Sequence, residues 1–152
     1  MARIFLCHAN EDKPQVEALY DRLRMLGFEP WMDKRDLIPG QNWQREIPLV
    51  LKSSALVLVC LSQNIGRPGY LQREFKLAVD ALQEVPEEMI YTIPVRLEPC
   101  NVPEPLSSLH CCDLFEADGF EKLEQAIRYG FEQRGLSVPE VRASTPLAKK
   151  LF

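Results

Sequence analysis

Residues 55–62, with the sequence ALVLVCLS, decide the fold class of this chain. Every position from 55 to 61 is apolar, so both faces of the predicted strand must be covered. A strand that is buried on both faces is typical of a parallel sheet with helices on each side. Strands and helices should therefore alternate along the sequence before and after this stretch.

That alternation is present from residue 3 to residue 131. The other predicted strands are 3–7 (RIFLC), 28–32 (FEPWM), 90–97 (IYTIPVRL) and 110–115 (HCCDLF). Apolar residues recur at helical spacing in 16–26, 43–51, 71–82 and 120–131. These elements predict an α/β fold, a flavodoxin-like doubly wound sheet of five parallel strands in the order 2-1-3-4-5 with helices on both faces. Pro30 favours an edge position for the second strand, and Pro48 is expected to bend or delay the second helix.

Length and composition fit one domain with a hydrophobic core. The chain has 152 residues, of which 46% are apolar. We predict a domain over residues 1–134, followed by a flexible tail or linker over 135–152, where helical periodicity is lost and proline, serine and threonine increase. The net charge of −4 is spread along the chain. This pattern favours neither nucleic acid nor a membrane surface as a partner, and the apolar runs are too short to cross a bilayer.

The cysteines and the N-terminus favour a cytoplasmic location. Five cysteines, an odd number without CxxC spacing, indicate reduced thiols. The first residues become polar too early for a signal peptide. No metal is expected, because the two histidines and the Cys111–Cys112 pair lack the spacing of metal ligands.

A ligand of a doubly wound sheet binds where the strand order reverses, here between strands one and three. Three segments should converge there: 8–10 (HAN), the 33–43 loop, and 62–74. Glu74 lies four residues after Tyr70, so both side chains share one face of the predicted third helix. A glutamate early in a helix is commonly a solvated residue favoured by the helix dipole. Its predicted place at the point of strand reversal supports a functional role as the alternative explanation.

Several other nucleotide-linked or hydrolytic functions lack their motifs. A phospho-acceptor domain of this topology needs an aspartate at the end of strand three, where this chain has Cys60, Leu61 and Ser62. No GxGxxG, Walker-type loop or GxSxG sequence is present, which argues against oxidoreductase, NTPase and serine-hydrolase chemistry.

Three segments taken together resemble the Toll/interleukin receptor (TIR) domain family: IFLCHANEDK (4–13), the FEPWMDKRDLIPGQNW stretch (28–43) and GYLQREF (69–75). The resemblance covers about residues 3–133. NAD-cleaving members carry a tryptophan and, four residues later, a catalytic glutamate, and this sequence has Tyr70 and Glu74 there. The resemblance implies Glu74 as the catalytic residue. It implies substrate binding by Tyr70, His8, Ala9, Asn10 and Asp33, with His8–Asn10 contributing mostly backbone contacts.

The chemistry that the resemblance implies needs no cofactor, because NAD+ is the substrate. Its nicotinamide leaves as a neutral base while the ribose gains oxocarbenium character, which a fixed carboxylate stabilises. Attack by water gives ADP-ribose, and attack by the adenine base gives a cyclic product.

The resemblance also implies homotypic TIR–TIR self-association. Leu37, Ile38, Pro39 and Gly40 resemble the family's leucine-x-proline-glycine stretch, and exposed aliphatic residues beside a rigid Pro-Gly turn suit a subunit interface. The first segment is most similar to bacterial members, which implies a role in defence or signalling. Two hypotheses remain open: an NAD-cleaving enzyme activated by self-association, and a non-catalytic TIR adaptor.

Overall fold

The computed structural model describes residues 2–66, residue 80 and residues 89–139. The five strands of this part are β1 (Arg3–Cys7), β2 (Glu29–Trp31), β3 (Leu56–Leu61), β4 (Thr92–Arg96) and β5 (Cys112–Asp113). Its α-helices are α1 (Lys13–Met25), α2 (Asp33–Asp36), α3 (Trp43–Ser53) and α4 (Gly119–Gln133). Three short 3-10 turns lie at Asn10–Asp12, Gln63–Gly66 and Glu104–Leu106.

The strands form one sheet in the order β2-β1-β3-β4-β5, and every pair is parallel. This confirms the fold class and strand order predicted from the sequence. Pro30 lies in the edge strand β2, opposite Ile4. All six residues of β3 are buried at the centre of the sheet, as the apolar stretch indicated.

Helices cover both faces of the sheet and divide the core into two layers. The larger layer joins alternate strand residues to α1 and α4, and includes Ile4, Leu58, Val95, Leu23 and Ile127. The smaller layer joins the opposite strand positions to α3, and includes Phe5, Val57, Leu61, Ile47 and Leu51. The period-two alternation of a strand explains why neighbouring residues of β1 and β3 lie in different layers.

Helix α1 ends at the glycine that the sequence indicated. Gly27 adopts a φ of 92°, a left-handed conformation that glycine reaches without a steric penalty. The N–H of Phe28 donates to the carbonyl of Leu23 at 3.1 Å, and the N–H of Gly27 donates to that of Arg24 at 2.9 Å. This Schellman motif turns the chain directly into β2.

Three local features differ from the sequence prediction, and a fourth predicted element falls outside the described residues. Helix α2 was predicted as part of a loop. The predicted strand 110–115 is reduced to the two residues of β5. Helix α3 begins at Trp43 and continues through Pro48, so the proline does not delay it. The predicted helix over 71–82 falls almost entirely outside the described residues.

The described chain continues past the predicted domain boundary. Leu136 and Val138 pack against the larger core layer. The Arg128 Nη1 donates a hydrogen bond of 2.5 Å to the carbonyl of Pro139, which holds this segment against α4. Residues 140–152, the greater part of the predicted tail, lie outside the described residues.

Candidate functional site

The carboxyl ends of β1 and β3 lie side by side, with Cys7 opposite Val59 in the register. Residues that follow the two strands therefore meet at one edge of the sheet, which is where the strand order reverses. His8 is 2% exposed and Ala9 is 0% exposed, so both side chains point into the protein. Substrate contacts by these two residues stay a prediction, and their burial favours contacts through the backbone.

A buried carboxylate links the two strand ends. Asp12 closes the first 3-10 turn and is only 5% exposed. Its Oδ2 accepts a 2.5 Å hydrogen bond from the Ser62 hydroxyl, and its Oδ1 accepts a 3.0 Å bond from the Asn64 side-chain amide. Its own N–H donates to the carbonyl of Ala9 at 3.0 Å. A charge this deeply buried requires such donors, because an unpaired one is costly.

The segment that follows β3 is tied on its other side as well. The N–H of Asn64 donates to the Ser62 hydroxyl at 3.1 Å, which gives this hydroxyl a partner in each direction. The N–H of Gln63 donates to a Glu98 carboxylate oxygen at 2.9 Å, and Glu98 follows β4. Loops after β1, β3 and β4 are thus joined by hydrogen bonds at the same edge.

The loop after β2 begins with a short helix that is fixed to α1. Asp36 accepts one hydrogen bond from the Tyr20 hydroxyl at 3.0 Å and another from the N–H of Met32 at 2.9 Å. The pKa of Tyr20 is raised above its usual value, mainly because the side chain is buried and secondly because of the hydrogen bond to Asp36. The Arg35 guanidinium lies 4.4 Å from the centre of the Tyr20 ring and contacts Asp21 at 2.7 Å. These contacts hold α2 in place.

The predicted interface stretch forms a tight turn. The N–H of Gln41 donates to the carbonyl of Ile38 at 2.9 Å, and Gly40 has a φ of 95°. Pro39 followed by a glycine at positive φ matches a type II turn. Ile38 is 63% exposed, whereas Leu37 is partly buried against the smaller core layer. Of the two aliphatic residues predicted to be exposed, only Ile38 is mainly in solvent.

Cys60 and Cys112 are buried in surroundings that do not suit a nucleophile. Burial, and then the negative charge of Asp12, raises the pKa of Cys60 to about 12. Burial also raises the pKa of Cys112 to about 11. Both thiols therefore stay protonated near neutral pH, and a thiol in that state is unreactive. Within residues 2–66 and 89–139, no three histidine, cysteine or acidic residues are grouped as metal ligands.

The predicted site residues are described to different extents. Tyr70 and Glu74 lie outside the described residues, so their roles stay predictions. The backbones of Asn10 and Asp33 begin the first 3-10 turn and α2, and their side chains are outside the description. Sequence reasoning missed the Asp12, Ser62 and Asn64 network. The sequence did contain a signal for this network, because polar residues directly follow two of the apolar strands.

None of the helices in the described part of the chain is long and apolar enough to span a bilayer.

The fold and site define a doubly wound α/β protein with its polar cluster at the point of strand reversal. A family model described as the TIR domain matches residues 4–127. Since this match covers most of the sequence, the chain belongs to the TIR domain family.

Similar proteins include two named NAD(+) hydrolases. The chain is 42% identical over 72 residues to the NAD(+) hydrolase PdTIR of Paracoccus denitrificans, a match that covers 47% of this chain and 24% of that protein. It is 35% identical over 72 residues to the NAD(+) hydrolase TcpA of a Theionarchaea archaeon, covering 47% and 22%. The matched segment therefore spans about a quarter of the length of these curated relatives.

The fold is shared with solved TIR structures. The TIR domain of the Toll-related receptor TRR-2 from Hydra magnipapillata superposes with a TM-score of 0.67 at 21% sequence identity. The superposition covers 82% of this chain and 97% of the receptor domain.

Proposed function

We propose that this chain is an NAD+ hydrolase or cyclase that cleaves the bond between nicotinamide and ribose. The observation that carries the proposal is the 42% identity to a TIR protein named as an NAD(+) hydrolase. The second such relative, at 35% identity, comes from a different organism and supports the same activity. Glu74 is the proposed catalytic residue, and Tyr70 the aromatic side chain beside it.

The reaction needs one fixed negative charge and exclusion of water. The cationic nicotinamide departs with the bonding electron pair as a neutral base, so no general acid is required. Positive charge then develops on the ribose, and the Glu74 carboxylate stabilises it. Water or the adenine base completes the reaction, giving ADP-ribose or a cyclic isomer.

The surroundings of the site fit this assignment of roles. The polar network at the ends of β1 and β3 lies immediately before the segment that carries Glu74 in the sequence. Asp33 opens the helix α2, which Asp36 fixes against α1. The hydrogen bonds of Asp12 hold the loop after β1, and its backbone can contact NAD+ from that position.

Self-association is part of the proposal, and so is a role in bacterial defence or signalling, which the similarity of the first segment to bacterial TIR domains implies. We propose that a neighbouring domain completes or orders the active site in the assembled state. An isolated domain at low concentration is then inactive, and activity should rise more steeply than protein concentration.

The test compares wild type with Glu74→Gln and Glu74→Ala at high protein concentration, with and without a crowding agent. Glutamine keeps the shape of the side chain and removes its charge. We expect nicotinamide release by wild type and a loss of at least about 100-fold in kcat for both variants, because electrostatic stabilisation of a transition state is commonly worth that much. Released nicotinamide and the ribosyl product are separated by chromatography.

Two results would contradict the proposal. Wild type that is assembled, as measured by light scattering, yet releases no nicotinamide has no such activity. Variants that match wild type would show that Glu74 is not the catalytic group. Glu132→Gln is a suitable control, because it removes an exposed carboxylate near the end of α4, outside the predicted substrate loop.

The second candidate is a non-catalytic TIR adaptor. It is favoured by the exposed Ile38 on its hydrogen-bonded turn, a surface that suits docking to another TIR domain without any chemistry. An assembled but inactive wild type would favour this function.

A further inference from the structure

We propose that Asp12 is a positioning residue for the cleavage of NAD+. Its buried carboxylate ties the loop after β1 to the segment after β3, and so fixes where the Glu74-bearing segment leaves the sheet. The inference rests on the proposed function, but its structural part can be tested separately.

Burying the Asp12 carboxylate costs free energy unless hydrogen bonds replace its hydration. Asp12 is 5% exposed, and a charged side chain rarely reaches that depth without a reason. Its two oxygens are used by two different donors, Ser62 at 2.5 Å and Asn64 at 3.0 Å. Both donors lie about 50 residues further along the chain, so the bonds join separate parts of the fold.

The two donors lie in the segment that follows β3. Ser62 is the first residue after β3, and Asn64 belongs to the Gln63–Gly66 turn. Beyond that turn the sequence leads to Tyr70 and Glu74. The same turn is held from β4 by the bond between the Gln63 N–H and Glu98. The start of the segment is therefore fixed from both neighbouring strands.

Asp12 also holds the loop on its own side, after β1. The N–H of Asp12 bonds the carbonyl of Ala9, which folds residues 9–12 into a compact turn. That turn contains the predicted substrate contacts Ala9 and Asn10. One carboxylate thus ties the predicted substrate loop to the Gln63–Gly66 turn, from which the sequence leads to Glu74. A shift of about 1 Å between such groups can cost about 100-fold in rate.

The geometry permits an exchange of donor and acceptor between residues 12 and 64. In Asn64→Asp, two carboxylates face each other across the 3.0 Å contact and repel. In the double variant Asp12→Asn/Asn64→Asp, the new amide donates to the new carboxylate, while its oxygen still accepts from Ser62. The double variant also has the same net charge as wild type. Asp12→Asn alone keeps the shape, because the Asn64 amide can rotate to accept the bond.

The experiment measures kcat and KM for NAD+ in these four proteins, at a concentration where wild type is assembled and at a temperature where all are folded. We expect Asn64→Asp to lower kcat about 10- to 100-fold, and the double variant to recover to within about 3-fold of wild type. Asp118→Asn, an exposed aspartate at the start of α4, serves as the control for loss of a negative charge and should leave kcat unchanged. A role limited to folding would change the unfolding temperature but not kcat of the folded protein.

Hydrogen–deuterium exchange of the same proteins tests the tie itself. Amides of residues 9–12 and 62–66 should exchange faster together in Asn64→Asp and be protected again in the double variant. The inference is overturned if Asn64→Asp lowers kcat equally in wild type and in the Asp12→Asn variant, or lowers it in neither. The proposed function still stands in that case, because wild type cleaves NAD+. If wild type is inactive, neither Asp12 nor Glu74 has the proposed role in NAD+ cleavage. The exchange pattern then decides whether Asp12 joins the two loops.

Discussion

The Arg96 guanidinium and the Asp113 carboxylate form a two-bond ion pair between β4 and β5. Nε donates to Oδ1 and Nη2 to Oδ2, both at 2.7 Å, while Nη1 donates to the carbonyl of Cys100 at 3.0 Å. Both side chains are 26% exposed. Parallel bonds of this kind are stronger than a single exposed contact, and they hold a strand of only two residues in the sheet.

This pair predicts a particular dependence of stability on pH. The hydrogen bonds from Arg96 lower the pKa of Asp113 below its usual value of 3.8. A carboxyl group with a lowered pKa stabilises the fold above the unfolded-state pKa, and this contribution is lost as pH falls through the folded-state pKa. We expect Asp113→Asn to reduce the free energy of unfolding by about 2 kcal/mol at pH 7.

The measurement is urea unfolding of wild type and Asp113→Asn between pH 7 and pH 2.5. Their difference should stay constant from pH 7 to about pH 5 and then disappear below pH 3.8, as wild type becomes protonated. Arg96→Lys should lose part of the same stabilisation, because lysine cannot form two parallel bonds. A difference that persists undiminished at the lowest pH would rule out this explanation.

At the level of elements, the junction between β5 and α4 is unusually tight. A Cβ atom on Gly119, the first residue of α4, would lie 2.1 Å from the Asp113 carbonyl oxygen and 2.9 Å from the Leu114 Cα. These are backbone atoms, so they cannot move aside as a side-chain end would. The start of α4 is therefore packed directly against the backbone at the end of β5.

We predict that Gly119→Ala reduces the free energy of unfolding by about 3 kcal/mol, since overpacking against the backbone forces the helix away from the sheet. Chemical unfolding followed by circular dichroism measures this change. Gly135→Ala is the comparison: its site has open space, and its φ of 67° alone should cost about 1 kcal/mol. Equal effects at the two positions would be inconsistent with the close contact.

Helix α2 shows why some elements are invisible in the sequence. It has four residues, Asp33–Asp36, too few for a recognisable apolar periodicity. Its position depends on the Tyr20 hydroxyl and on the N–H of Met32, which both bond Asp36. Since Tyr20 is 16 residues away in α1, local propensity could not have predicted the contact.

At the level of the whole molecule, Ile38 is the most exposed of the large apolar side chains among the described residues. It is 63% exposed on a turn whose backbone is fixed by the Gln41 N–H and by Gly40. A rigid apolar contact loses little entropy on docking, which favours its use in an interface.

We predict that Ile38→Asp weakens self-association about 10-fold and lowers NAD+ cleavage at concentrations where wild type assembles, because a charge cannot be buried there without a partner. Analytical ultracentrifugation and nicotinamide release report the two effects. Leu49→Asp, at a residue that is 54% exposed on α3, is the matched control. If both variants lose self-association to the same extent, Ile38 has no specific role in the interface.

The sequence by itself determined the architecture of this protein. The apolar stretch 55–62 specified a strand buried on both faces, Pro30 specified an edge strand, and Gly27 specified the end of α1. Each of these depends on side-chain burial or on local backbone geometry, which a linear pattern records directly. The family resemblance came from the segments 4–13, 28–43 and 69–75, and the match over residues 4–127 confirmed it.

Only the tertiary structure decided which polar residues meet. Asp12 bonds residues that lie 50 and 52 positions away, and Arg96 bonds one 17 positions away. A hydrogen bond depends on distance and angle between two atoms, and strand order brings those atoms together without leaving any periodic trace in the sequence. Burial of Leu37 beside the exposed Ile38 has the same origin, since the packing of neighbouring elements decides which of two similar side chains faces the core.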